Sequence, residues 1–475
     1  MILKDISIKD TIEKAKILLE QEKNISPSFK AMFELLLLII TLFCNKLGLN
    51  SSNSSKSPSS DPNRKRGGKN KKSDKKPGGQ NGHSGSRLEK IKNPDQVEIL
   101  SIDRRTLPKG NYREIGYKSR QVFDIKISRI VTEYRAQILE DEFGKQYIAE
   151  FPEHVISDVQ YGQNVKAHSV YMSQFQLLPY KRIQDYFAEQ MDLPVSGGSI
   201  FNFNKEAYEL LADFENITKN KLTISALLQV DETSAHVDKS TIWLHTASNN
   251  LWTHLYPHKK RGCEAMDEIG ILSKFKGILC HDHWKPYYAY KQCMHSLCNA
   301  HHIRELEYAL EKDGQLWAKD MQNLLVEINE AIKTSRLNKL TDAVALEYRH
   351  KYKMIIISGE LECSRASDII NSKNGRIKKS KSRNLLERLK QFENDTLLFM
   401  EEEIVPFTNN LSENDLRMTK VQQKISGCFR SMDGAKIFCR VRSYLSTCRK
   451  HGVKITDALN LLFQGKMPDF VYNSD

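Results

Sequence analysis

Three acidic residues, Asp231, Asp282 and Glu413, sit in sequence contexts that suit one task. Asp231 ends an apolar, β-favouring run, Ala226-Leu227-Leu228-Gln229-Val230. Asp282 follows a second such run, Phe275-Lys276-Gly277-Ile278-Leu279-Cys280-His281. Glu413 opens a helical pattern rich in basic residues. Two carboxylates at strand ends and one on a later helix can hold a pair of Mg²⁺ ions, with Mn²⁺ as the alternative. Such a pair clamps the attacking and leaving oxygens of a phosphodiester. The chemistry this suggests is the cutting and joining of DNA.

Carboxylates are common, so context carries the argument. Ligands of open α/β sheets gather at the carboxyl ends of strands. Asp282 lies within His281-Asp282-His283-Trp284-Lys285-Pro286-Tyr287-Tyr288, whose cationic and aromatic side chains suit a wet, phosphate-facing cleft, with Lys285 a candidate DNA contact. Around Glu413, Ser412 is the expected helix N-cap, with Asp415 three residues on. Glu413, Arg417, Lys420 and Lys424 then share one helical face, while Met418, Val421 and Ile425 lie opposite and can pack on a sheet. One face thus offers a metal ligand followed by phosphate-binding cations, and Arg430 lies just beyond. The plainer alternative is a solvated ion pair between Glu413 and Arg417. A further cluster, Cys293-Met294-His295-Ser296-Leu297-Cys298-Asn299-Ala300-His301-His302, has zinc-ligand types at irregular spacing. Whether Cys293, Cys298, His301 and His302 hold a metal stays open. A structural role is favoured, with Cys298 in the core and one of the two histidines near the cleft.

Several elements must position these groups. At 475 residues the chain makes about three domains, at ~150 residues each. A formal charge of +13 and a pI of about 9.1 call for an anionic partner, most often nucleic acid. Between Ser51 and Ser86 there are nine Lys/Arg, among them Arg64, Lys65, Arg66, Lys75 and Lys76, against two Asp. Nine scattered cysteines fit a reducing cytosol. The first residues lack the build of a signal peptide. The most apolar run, Leu35 to Cys44, has ten uncharged residues, short of the ~20 that span a bilayer. A cytoplasmic protein without membrane contact is expected.

Residues 1–49 are read as helical, with Phe29, Phe33, Leu36, Ile40, Phe43 and Leu47 at coiled-coil spacing. Residues 50–95 form a basic low-complexity linker that buries too little apolar surface to fold alone, and its charge favours a DNA-contacting arm. Strand-like alternation marks 96–158 as a small β-rich module. Residues 159–220 are helical, with a possible helix-turn-helix about the turn at Pro194. An α/β core follows at 221–312, with strands expected at 225–231, 241–247, 251–256, 276–282 and 293–298. A charged helical insertion spans 313–400, and 401–475 completes the core.

The chain resembles the insertion sequence sixty-six family of bacterial DDE transposases. The resemblance rests on Asn50 to Asp61, Lys76-Pro77-Gly78-Gly79-Gln80-Asn81-Gly82-His83, Asp231-Glu232-Thr233, His281-Asp282-His283-Trp284, Cys298-Asn299-Ala300-His301, Thr408-Asn409-Asn410-Leu411-Ser412-Glu413 and Lys424-Ile425-Ser426-Gly427-Cys428-Phe429-Arg430-Ser431. It implies an RNase-H-like catalytic core, a mixed sheet with flanking helices, in which Asp231, Asp282 and Glu413 are catalytic and bind the metal. It also implies a helical insertion before Glu413 and an amino-terminal coiled-coil and DNA-binding half. The partners implied are terminal inverted repeats, target DNA, further copies of the chain and, for some elements, accessory proteins encoded beside it. Water would cut at the element end, and the freed 3′-hydroxyl would attack target DNA. Two features depart from the family pattern. No cysteine lies between Cys44 and Cys263, where members carry a zinc-binding segment, and Asn414 follows Glu413 where many members have Arg. The competing readings are a nuclease on the same core without transposition, and a catalytically inactive DNA-binding regulator of the element.

Overall fold

The computed structural model describes residues 2–3, 6–22, 25–47, 88–363 and 379–472. Two short antiparallel strands, β1 (Ile2–Leu3) and β2 (Ile6–Ser7), precede helices α1 (Ile8–Gln21) and α2 (Pro27–Leu47). The heptad-spaced run is one continuous helix whose Phe29, Phe33, Leu36, Ile40 and Phe43 are all exposed. The basic arm, with Arg64, Lys65, Arg66, Lys75 and Lys76, lies outside the described residues.

Over 96–158 the ladder among the described residues is one hairpin, β3 (Ile138–Glu140) with β4 (Gln146–Ile148). The alternation at 120–127 stays outside any ladder, with Val122 at 91% and Ile125 at 83% exposure. Alternation supplies an apolar face, but nothing among the described residues covers it, and an uncovered two-stranded hairpin is marginal in water.

Helices then dominate: α3 (Gln163–Val170), α4 (Tyr180–Met191), α5 (Gly197–Leu210) and α6 (Ala212–Thr223). Asp192 ends α4 in the left-handed region at φ 49°, and the Ser196 hydroxyl accepts the Ser199 amide at 2.9 Å to start α5. Ile183, Phe187, Ile200 and Phe203 carry this helical pair into the main core.

The central layer is a mixed five-stranded sheet in the order β7-β6-β5-β8-β9. Its strands are β5 (Leu227–Val237), β6 (Ser240–Ser248), β7 (Thr253–His258), β8 (Ile278–His281) and β9 (Met294–Leu297). The first three form an antiparallel meander, while β8 and β9 run parallel to β5. Strand β8 is buried along its whole length, as its unbroken apolar run requires. Gly277 opens the way into it, since a Cβ there would fall 2.5 Å from the Ala226 carbonyl oxygen. Helix α7 (Cys263–Ile269) crosses from β7 to β8, and α8 (Asn299–Asp313) leaves β9.

The insertion contains α9 (Leu316–Thr334), α10 (Asp342–Glu362), α11 (Lys381–Gln391) and α12 (Glu393–Leu397). These helices share a core that includes Trp317, Met321, Tyr352 and Leu386, and Ile278 of β8 belongs to the same cluster. The chain closes with α13 (Asn410–Ser426), α14 (Met432–Lys450) and α15 (Ile455–Phe463). Helix α14 covers β7, where Ser443 and Thr447 hydroxyls accept the Leu255 and Thr253 amides at 2.8 and 3.1 Å. Among the described residues no helix is long and apolar enough to cross a membrane.

The start of α13 differs from the sequence expectation. The cap is Asn409, and Ser412 is a buried first-turn residue whose hydroxyl donates to the Asn409 carbonyl at 3.2 Å. Asp415 does not turn back on the helix either. It accepts from Ser446 at 2.7 Å, Thr253 at 3.0 Å and Lys450 at 3.1 Å, locking α13 to β7 and α14. A tertiary network outcompetes the local capping pattern. Met418 and Val421 do pack inward with Leu416, but Ile425 stays 44% exposed near the helix end.

Candidate active site

Strand pairing brings the first two carboxylates together. In the parallel pair, Leu227 lies opposite Ile278 and Gln229 opposite Cys280. The same register carried two residues further sets Asp231 abreast of Asp282, just past the end of β8. Each acid is held by a nearby amide: the Glu232 N–H donates to Asp231 at 2.8 Å, and the Trp284 N–H to Asp282 at 2.9 Å.

The third carboxylate arrives because the start of α13 is pinned to β5. Asn409 Nδ2 donates to the Val230 carbonyl at 2.7 Å, and the Leu411 N–H to Gln229 Oε1 at 3.2 Å. Lys420, from the basic face, donates to the Ser234 carbonyl at 2.6 Å. These bonds straddle Asp231 and fix Glu413, in the first turn, beside the strand. Burial, then the neighbouring carboxylates Glu232, Asp282 and Glu413, push the Asp231 carboxyl well above its ordinary range. Like charges gathered in a partly dry site resist ionisation. Such a hard-oxygen donor set fits Mg²⁺ or Mn²⁺.

Cations surround the acids. Arg304 of α8 lies 4.0 Å from Glu413. Arg388 reaches in from α11 of the insertion, where it also pairs with Glu305. Burial lowers Arg388 to about 10, and the charge of Asp282 opposes that shift. Glu232, with only 1% of its side chain exposed, faces Arg261 at 2.5 Å and accepts from the Tyr287 hydroxyl. The Arg261 guanidinium is sandwiched between Trp284 at 4.2 Å and Trp243 at 4.7 Å. This arrangement props the loop after Asp282 against the strand that carries Asp231.

Of the sequence candidates, Asp231, Asp282 and Glu413 converge. Lys285, Arg417, Lys424 and Arg430 are on the surface nearby in sequence, and Lys420 is bound to the β5 backbone. The Cys/His cluster divides. The Cys293 thiol donates to the Tyr290 carbonyl at 3.2 Å, and His302 pairs with Asn299 at 3.0 Å, both away from the acids. Cys298 is buried at the cap of α8 with its sulfur 4.0 Å from Glu413, and His301 Nδ1 lies 3.9 Å from the same carboxylate. Sequence reasoning does not single out Arg261, Arg304 or Arg388. The signal for Arg304 is its place one helical turn after His301. Arg261 and Arg388 reach the site only through tertiary folding and leave no local signal.

Two family models match the chain. Residues 158–437 match the Transposase IS66 family, and residues 6–89 match a family of unknown function. No curated protein matches.

Proposed function

The chain belongs to the IS66 transposase family, and on that premise we propose that it cuts the ends of an insertion sequence and transfers the freed 3′-hydroxyl to target DNA. The observation that carries the reading is the convergence of Asp231, Asp282 and Glu413 from β5, the end of β8 and the first turn of α13. The antiparallel meander followed by two parallel strands supports an RNase-H-like core, with α9 to α12 as its insertion.

In this reading Asp231, Asp282 and Glu413 hold Mg²⁺, or Mn²⁺ in its place. When bound, the ions supply Lewis-acid stabilisation of the charge that develops during an in-line displacement. The remaining work falls to the protein. Asn409 and Gln229 hold the Glu413 turn against the strand, so that the three acids keep one geometry. Arg304 and Arg388 balance the acids and receive phosphate oxygens as charge grows on them. Lys285, Arg417, Lys424 and Arg430 engage the DNA backbone outside the cleft, and the basic arm adds non-specific affinity. The helical pair α4–α5 is the candidate reader of the terminal repeats.

The test is metal-dependent nicking of DNA carrying the element's own end by the purified chain, followed by capture of target DNA. Both activities are expected in Mg²⁺ and neither in chelator. Nicking without joining would make the protein a nuclease. Tight end binding without nicking would make it a regulator.

A further inference from the structure

We propose that Cys298, His301 and Glu413 form a second metal site, selective for Zn²⁺-like ions, that competes with the carboxylate centre for Glu413. One ligand atom from each residue lies within 4.8 Å of the other two. Around a tetrahedral zinc, with bonds of ~2.0–2.3 Å, such atoms sit roughly 3.4–3.6 Å apart. The observed 4.0 Å between the Cys298 sulfur and Glu413, and 3.9 Å between His301 Nδ1 and Glu413, therefore close with shifts of a few tenths of an ångström. His301 Nδ1 is buried and has no hydrogen-bond partner, an orphaned acceptor aimed at this space.

The fold holds all three in place. Cys298 caps α8, His301 lies in the first turn of that helix, and the Asn409 amide donates to the Cys298 sulfur at 3.2 Å, tying α8 to the start of α13. Three protein ligands and a solvent-facing fourth position are the usual composition of an exchangeable zinc site. Thiolate and imidazole select zinc, whereas the hard ion preferred by Asp231 and Asp282 gains nothing from sulfur. Arg304, 4.0 Å from the second Glu413 oxygen, is the native competitor and must release the carboxylate. An ion seated here turns Glu413 away from Asp231 and Asp282. The binding stands apart from the transposase reading, while its inhibitory consequence rests on it.

The experiment is a Cd²⁺ titration of the full chain, followed by thiolate-to-metal charge-transfer absorption. The wild type should show a saturable band that Cys298→Ser loses and His301→Gln weakens. Cys428→Ser, which alters an exposed free thiol, should leave it unchanged. Serine keeps an acceptor for the Asn409 amide, and His301→Gln tests the site independently should the cysteine variant misfold. A band that survives both Cys298→Ser and His301→Gln, or no band in the wild type, overturns the proposal. In Mg²⁺-driven nicking, added Zn²⁺ should suppress the wild type but spare Cys298→Ser, and equal suppression of both overturns the inhibitory role. Absence of nicking under every condition would count against the transposase reading alone and leave the Cd²⁺ result standing.

Discussion

Residues 120–131 and the sheet that begins at Leu227 both carry closely spaced β-branched and apolar side chains, but they meet different surroundings. In the first region Val122 and Ile130 are 91% and 90% exposed, whereas Leu228, Leu244 and Leu279 in the second are fully buried. The difference is the covering layer. The sheet has α14 on β7, the start of α13 on β5 and the insertion core on β8. The same contrast governs charge. Acids on either side of the first region pair with arginines in water, as in Arg105–Asp103 and Arg135–Glu133, where solvent screens the attraction. In the second region acids are packed beside acids, and a dry surround makes their mutual repulsion large. Burial thus creates both the core and the electrostatic tension of the candidate site.

The largest expected effect tests what that tension is for. Asp231→Asn and Glu413→Gln should each lower nicking of element-end DNA on the order of a thousandfold or more, with DNA affinity nearly intact. Near-normal nicking by either variant would remove the acid concerned from the site. The packing half of the comparison is tested by truncation. Leu228→Ala should destabilise the fold by about 2–5 kcal/mol, and Val122→Ala by less than ~0.5 kcal/mol, both read from denaturant midpoints. A comparable loss for Val122→Ala would mean that residues 96–158 gain a covering layer in solution.

A third experiment asks what the charge of the basic arm contributes. Deleting residues 51–86 removes nine cations. The plot of log K against log salt should flatten by about 0.9 for every phosphate that the shortened chain no longer neutralises. Parallel plots for the full and shortened chains would make the arm a passive tether. The smallest effect is thermal. The folded-state pKa of Asp231 is raised above its unfolded value, so its contribution to stability is full below the unfolded pKa and is lost as pH rises through the folded one. In chelator, wild type should therefore melt below Asp231→Asn at neutral pH, by a few degrees, at about 2–4 °C per kcal/mol. The gap should narrow as pH falls. Added Mg²⁺ should raise the wild-type melting temperature and leave the variant unmoved. A pH-independent gap would mean that the effect is packing and not ionisation.

Much of this is legible in the residues. The unbroken run before Asp282 reads as a buried strand, and β8 is one. Asp231 reads as a strand end, yet β5 continues six residues past it to Val237, because β6 keeps pairing the polar Glu232-Thr233-Ser234 segment and Val237 itself bridges to Phe429. The helix bearing Glu413 is visible from its spacing, but its cap is not the one the spacing suggests, since Ser412 lies inside the first turn and bonds back to the Asn409 carbonyl, and Asp415 is held by Ser446 and Thr253, far away in sequence. Alternation over 96–158 cannot reveal whether a layer will cover it. Arg388 lies beyond reach for a related reason, as its place beside Asp282 depends on how the insertion helices dock.

The hydrogen bonds from Asn409 and Leu411 to β5 span 179 and 182 residues of chain. Domains fold from the amino end as synthesis proceeds at about 5–20 residues per second, so the interval between Asp231 and Glu413 lasts roughly 10–40 s. Throughout that time a nascent chain carries at most two of the three acids and cannot complete the centre. On the proposed function, translation therefore acts as a timer, and a polypeptide aborted anywhere in the insertion would be released without the last acid and so without the proposed cutting centre.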